Sequence, residues 1–133
     1  MHTNNHITAA PSPENIIAGW IASHEEELIQ TAGYIFRHPE TAYKETLSSG
    51  YLADFLERQG FRIDKKTAGL DTAFTAEWGE GKPILGFLAE YDALPELGHA
   101  CGHNLLGTGA AAAACALKAD MESRGIHGTI RVY

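Results

Sequence analysis

The chain has 133 residues, 44% of them hydrophobic and 20% charged, with a formal net charge of −7. That is room for one small domain or part of a larger one, and apolar content this high with interleaved charge excludes disorder throughout. The acidic balance weighs against nucleic acid and anionic membranes as partners, and the longest small-apolar run, residues 107–117, is well short of the roughly 20 needed to span a bilayer.

Residues 1–11 are polar, with Asn4, Asn5 and His6 and no apolar signal-peptide segment, and read as a loose tail ahead of a folded unit at 12–133. Ser12-Pro13-Glu14 opens a helix: a capping hydroxyl, a proline suited to the first turn and an acid at the positive helix end. Ile16, Ile17, Trp20, Ile21, Leu28, Ile29, Ala32, Ile35 and Phe36 continue it as one apolar stripe that stops before Pro39, with His24 and Glu25 to Glu27 on a solvated face. His38-Pro39-Glu40 is a turn, and a second helix is expected over 44–59, burying Leu47, Tyr51, Leu52, Phe55 and Leu56 and ended by Gly60.

Strands follow. Phe61 and Ile63 alternate with Arg62 and Asp64, and Phe74, Ala76 and Trp78 alternate likewise. Gly79-Glu80-Gly81-Lys82 is a tight turn. Residues 83–90 are nearly all apolar, as expected of a strand buried on both faces, with Pro83 tolerated only at its start. A loop over 91–103 precedes an alanine-rich helix over 104–124, closed by Gly125, and residues 129–133 form a last strand that is either an edge strand or the end of a truncated unit. Strand, loop, helix, strand is a βαβ pattern, and the fold class is α/β: a mixed, mostly parallel sheet flanked by helices.

Ligands of open α/β sheets collect at the carboxyl ends of strands. The loop after the 83–90 strand holds Glu90, Asp92, Glu96, His99, Cys101 and His103 within fifteen residues. Cys101 and His103 are the sharpest pair, because thiolate and imidazole are preferred ligands of zinc and similar ions and Gly102 permits a turn that converges them. Asp92 is placed to orient a ligand or a bound water. A cysteine nucleophile at Cys101, served by helix amides as an oxyanion hole, is the rival chemistry; it ranks lower because His103 is only two residues away. Cys115, inside the alanine run, reads as helix packing, and Gly107-Thr108-Gly109 as close packing on the sheet. His99 reads as shaping the loop, and His2, His6 and His127 as tail or turn residues.

Glu90-Tyr91-Asp92-Ala93-Leu94-Pro95, followed by Gly98-His99-Ala100-Cys101-Gly102-His103-Asn104-Leu105-Leu106-Gly107-Thr108, resembles the signature of metallopeptidase family 20, in the amidohydrolase branch of aminobenzoyl-glutamate hydrolases and cytosolic dipeptidases. His38-Pro39-Glu40 and the Tyr51 helix resemble its amino-terminal segment. The resemblance implies a zinc-peptidase-like catalytic domain with one or two divalent metal ions, zinc or manganese. It also implies hydrolysis of an amide bond beside a free carboxylate, as in N-acyl amino acids, aminobenzoyl-glutamate or small dipeptides. By motif position Cys101 and His103 are metal ligands, and Asp92 is the catalytic carboxylate supporting them. Other branches carry histidine where this chain has Glu90, and many amidohydrolases carry aspartate where it has Asn104.

The family continues past the strand matching 129–133 into a Gly-x-Pro-x-Glu-Glu segment, further histidine ligands, and a lid domain that mediates homodimerisation. This chain matches only the portion before them. Two cysteines cannot form a disulfide framework for a chain this size, which points to a reducing cytoplasm; the resemblance predicts a chain that in isolation is inactive or nearly so, and whose exposed sheet edge favours association.

Overall fold

The computed structural model describes residues 11–133; the tail expected over 1–11 falls almost wholly outside them. The elements run α1 (Pro13–Ser23), α2 (Glu25–Arg37), α3 (Thr46–Arg58), β1 (Arg62–Lys65), β2 (Phe74–Glu80), β3 (Ile84–Phe87), α4 (His103–Arg124) and β4 (Gly128–Val132).

The helix expected as one piece from Ser12 to Pro39 breaks at His24. Ser12 caps α1 as its sequence requires, its hydroxyl accepting from the Asn15 amide. At the other end, His24 Nδ1 lies 2.8 Å from the Trp20 carbonyl, and the two rings stack at 4.0 Å. Those contacts hold the His24 backbone out of helical geometry (φ −114°, ψ 9°), and a new helix starts with Glu25, Glu26 and Glu27 in its first turn. The acidic run thus marks a helix start, where negative charge meets the positive end of the helix dipole, rather than the flank of a longer helix.

Glu40, in the turn after Pro39, caps α3 from a distance: its carboxylate oxygens accept from the amides of Leu47 and Ser48 at 3.0 and 2.8 Å. The apolar stripe of α3 then buries Leu52, Phe55 and Leu56 completely. They meet Phe74 and Ala76 from β2, Ile130 and Val132 from β4, and Ala111, Ala114 and Cys115 from α4 in one core. The small side chains of the alanine run let α4 lie close to the sheet, and Cys115 is part of that packing; burial pushes its thiol up to about 12.

The sheet is mixed, as expected, with strand order β1-β2-β4-β3. Its balance differs from expectation: β1–β2 and β2–β4 pair antiparallel, and among the described strands only β3–β4 is parallel. One βαβ unit, β3–α4–β4, accounts for that parallel pair; β1 and β2 form a hairpin that needs no crossover. The terminal strand is central rather than an edge, with Ile130 and Val132 fully buried. The apolar strand expected to be buried on both faces is the edge instead: Ile84, Leu85 and Leu88 are 47%, 44% and 70% exposed. Among the described residues no helix is long and apolar enough to cross a membrane.

Where β2 meets β4, a Cβ on Gly79 (φ +82°) would sit 2.2 Å from the Gly128 carbonyl oxygen. Gly79→Ala is therefore expected to destabilise the fold by about 2–4 kcal/mol, through strain and backbone collision together. Urea denaturation followed by circular dichroism measures the loss.

Candidate metal centre

The site forms where β3 ends and α4 begins. Ala89 is still tied to the sheet through its amide, 2.8 Å from the Tyr133 carbonyl. Tyr91 turns inward, packs on Phe74, and donates its hydroxyl to the Thr72 carbonyl at 2.6 Å, and burial pushes its phenol above the ordinary tyrosine value. The Ala93 amide is held by the Glu40 carbonyl at 2.7 Å. Leu94 and Gly98 exchange hydrogen bonds in a miniature hairpin, and the Gly102 amide closes on the His99 carbonyl at 3.0 Å. Gly102 adopts left-handed geometry (φ 78°), which turns the chain into α4 with His103 as its first residue.

That turn carries His103 back over the strand end. Its Nδ1 lies 2.8 Å from Asp92 Oδ1, and its Nε2 lies 3.2 Å from Glu90 Oε2. An imidazole facing a carboxylate at each nitrogen satisfies both contacts by hydrogen bonds only when both nitrogens carry protons. If a cation were held here, Nε2 beside Glu90 would be the nitrogen to hold it, and Nδ1–H donated to Asp92 would fix the ring orientation and tautomer. Gly107 allows the approach: a Cβ there would lie 2.5 Å from the Glu90 carbonyl oxygen.

Of the three residues singled out from sequence, the fold brings Asp92 and His103 into contact, and Glu90, whose role the sequence leaves open, joins them. Cys101 is exposed at the preceding turn. Among the described residues no three histidine, cysteine, aspartate or glutamate side chains converge as a complete metal cage. The imidazole and carboxylate donors that meet here suit a divalent ion in kind, and they do not make up the three converging protein ligands of a catalytic zinc. A Cys101–His103 nucleophile pair gains no support: the ring meets Asp92 and Glu90, and none of these contacts is to Cys101.

Sequence reasoning missed the supports. Glu45 is buried (7% exposed), with Oε1 accepting from the Tyr43 amide at 2.9 Å and Oε2 from the Thr72 hydroxyl at 2.7 Å, so it ties the α3 entry to the segment that holds Tyr91. A glutamate just ahead of a helix is an ambiguous signal, equally at home in solvent. His99 is also buried, at 8% exposure, and among the described residues neither ring nitrogen has a hydrogen-bond partner.

No protein-family model matches the chain. It is 39% identical over 130 residues to a p-aminobenzoyl-glutamate hydrolase polypeptide of Escherichia coli (strain K12), a match covering 85% of this chain and 27% of that protein. Against the Xaa-Arg dipeptidase of Mus musculus it is 43% identical over 99 residues, covering 67% of this chain and 23% of the relative. A protein of methicillin-resistant Staphylococcus aureus assigned as an aminohydrolase superposes with a TM-score of 0.72 at 25% identity, over 91% of this chain and 34% of that one. The Bacillus subtilis YXEP protein, a dinuclear metal binding peptidase from the M20 family, superposes with a TM-score of 0.65 at 23% identity, over 84% of this chain and 34% of its own. The mixed sheet and its flanking helices are thus the fold of an M20 peptidase. By its relatives the chain belongs to that family, metallopeptidase family 20, in the branch of p-aminobenzoyl-glutamate hydrolase and the Xaa-Arg dipeptidases. It spans about a quarter of the length of the curated relatives it matches.

Two outcomes test the centre. Cys101 is expected to react with a thiol reagent in the native protein while Cys115 reacts only on unfolding, and zinc is expected to slow labelling of Cys101; peptide mapping of the labelled protein reads both. Asp92→Asn leaves the ring without its carboxylate partner and is expected to weaken zinc binding about 10–100-fold, read by titration calorimetry.

Proposed function

We propose that this chain supplies Cys101 and His103 as metal ligands, and Asp92 as their supporting carboxylate, to a metal-dependent amidohydrolase. The substrate class is an amide beside a free carboxylate: an N-acyl amino acid, aminobenzoyl-glutamate or a small dipeptide. The observation that carries the reading is the His103 imidazole held by Asp92 at one nitrogen and facing Glu90 at the other. The names of the relatives support the substrate class, and the name of the B. subtilis structure supports metal binding. A zinc or manganese ion bound there supplies polarisation of the scissile carbonyl and acidification of water.

What the chain's own residues do follows from their positions. Asp92 holds the Nδ1 proton and keeps Nε2 free as a lone-pair donor. Glu90 faces that donor from the strand end and adds negative charge where a cation sits. Cys101 lies exposed one residue before the Gly102 turn, and in this reading it turns to the cation as the second ligand. The partly buried Tyr91 and the buried Glu45 tie the loop and the α3 entry to the Thr72 segment. In this reading these roles belong to a cytoplasmic enzyme that acts on small molecules, not on nucleic acid or membrane, and that works as a homodimer in its full-length form.

We infer that the 133 residues alone lack a free base: Asp92 and Glu90 both face the His103 ring, and the absence of a base costs about 10²–10⁴ in rate. The purified chain, given zinc or manganese with p-aminobenzoyl-glutamate or an arginine-containing dipeptide, is expected to hydrolyse neither above the buffer rate. Measurable turnover removed by His103→Ala would instead show that these residues suffice for catalysis. A longer form that contains them and stays active after His103→Ala would overturn the assignment of the metal centre.

A further inference from the structure

The start of α4 lacks a capping side chain. Its capping position is Gly102, which has none to offer the first amides. Two side chains of the first turn fasten the helix instead. His103 meets Asp92 and Glu90 at the strand end. Asn104, the next residue, faces α2: it is buried, and its Nδ2 donates to the Ala32 carbonyl at 3.3 Å.

Successive residues of a helix point about 100° apart, so the two ties hold α4 from two directions and fix its rotation about its own axis. A side-chain tip rides about 5–6 Å from that axis, and a rotation of about 20° carries it roughly 2 Å. The His103 contacts are 2.8 and 3.2 Å long, so a slip of that size breaks one or both. Asparagine suits the second tie for a chemical reason. A carbonyl only accepts, so its partner must carry a proton to donate, and an amide does so without bringing charge into a buried place.

The same stretch of chain holds the other half of the clamp. Past Ala32, the Phe36 ring lies 6.4 Å from the ring of His99, and the Glu40 carbonyl accepts from the Ala93 amide, one residue after Asp92, at 2.7 Å. Residues 32–40 therefore bear on Asp92 through Glu40 and on His103 through Asn104. The separation of the two partners is set from one mount.

We propose that Asn104 is a positioning residue of the candidate metal centre: its bond to the Ala32 carbonyl sets the rotation of α4 that aims His103 at Asp92 and Glu90. For metal affinity the inference rests on His103 being a metal ligand; for the aim of the ring it does not.

Nuclear magnetic resonance of the metal-free full chain reads that aim. A hydrogen-bonded Nδ1–H resonance of His103, assigned by its loss in His103→Gln, is expected in the wild-type protein and is expected to vanish into solvent exchange in Asn104→Ala. Asn104→Ser, whose side chain is too short to reach Ala32, carries the same expectation should the alanine variant fail to fold. Thr31→Val is the control. Thr31 is also buried and donates to a backbone carbonyl, that of Glu27 at 2.8 Å, but it holds no part of the site, so the resonance is expected to remain. Zinc titration calorimetry is expected to give about tenfold weaker binding in the Asn104 variants and unchanged binding in Thr31→Val. The proposal is overturned if the resonance is missing from the wild-type chain, persists in a folded Asn104 variant, or is lost equally in Thr31→Val. It is overturned too if the wild-type chain binds zinc and an Asn104 variant binds it as tightly. A wild-type chain that binds no zinc overturns the metal-centre reading instead, and the ring resonance then decides the positioning role alone.

Discussion

The site turns on one imidazole that meets a carboxylate at each nitrogen. His103 Nδ1 meets Asp92 and Nε2 meets Glu90, and both carboxylates come from alternate positions at the end of a single strand. A ring held this way cannot rotate without losing an ion pair or a hydrogen bond. The start of α4 and the end of β3 are therefore locked in register by chemistry as well as by packing. Gly107 makes the lock possible by letting the helix backbone approach the strand's last carbonyl.

Two carboxylates this close to one ring repel each other through a short gap, and the structure answers with backbone anchors instead of countercharges. The Glu40 carbonyl holds the Ala93 amide, the Leu94–Gly98 hairpin closes the loop on itself, and Tyr91 reaches back to Thr72. Glu40 works twice, its side chain capping α3 while its backbone fixes the site loop. Through it, the packing of α3 in the core bears directly on where Asp92 stands. Glu45 adds a second tie between the same helix entry and the Thr72 segment. The acidic end of the strand is thus rigid before any cation binds, and a site that holds its donors in place loses little entropy on binding.

Much of this is written in the sequence where a residue type has one physical use. Ser12-Pro13 marks a helix start, Gly102 a left-handed turn, and the alanine run a helix lying close on a sheet. Asp92, Cys101 and His103 stand out because carboxylate, thiol and imidazole so near a strand end have few other reasons to gather. What the sequence hides depends on neighbours distant along the chain. The break at His24 comes from a ring stacked one turn back on Trp20. The antiparallel bias of the sheet comes from β2 pairing with β4 across an intervening strand and helix. The run at 83–90 reads as a doubly buried strand because hydrophobicity reports a tendency toward burial, and it is silent on whether a neighbouring strand is there to provide it. Glu45 and Glu40 resemble ordinary surface acids until the fold brings amides to them.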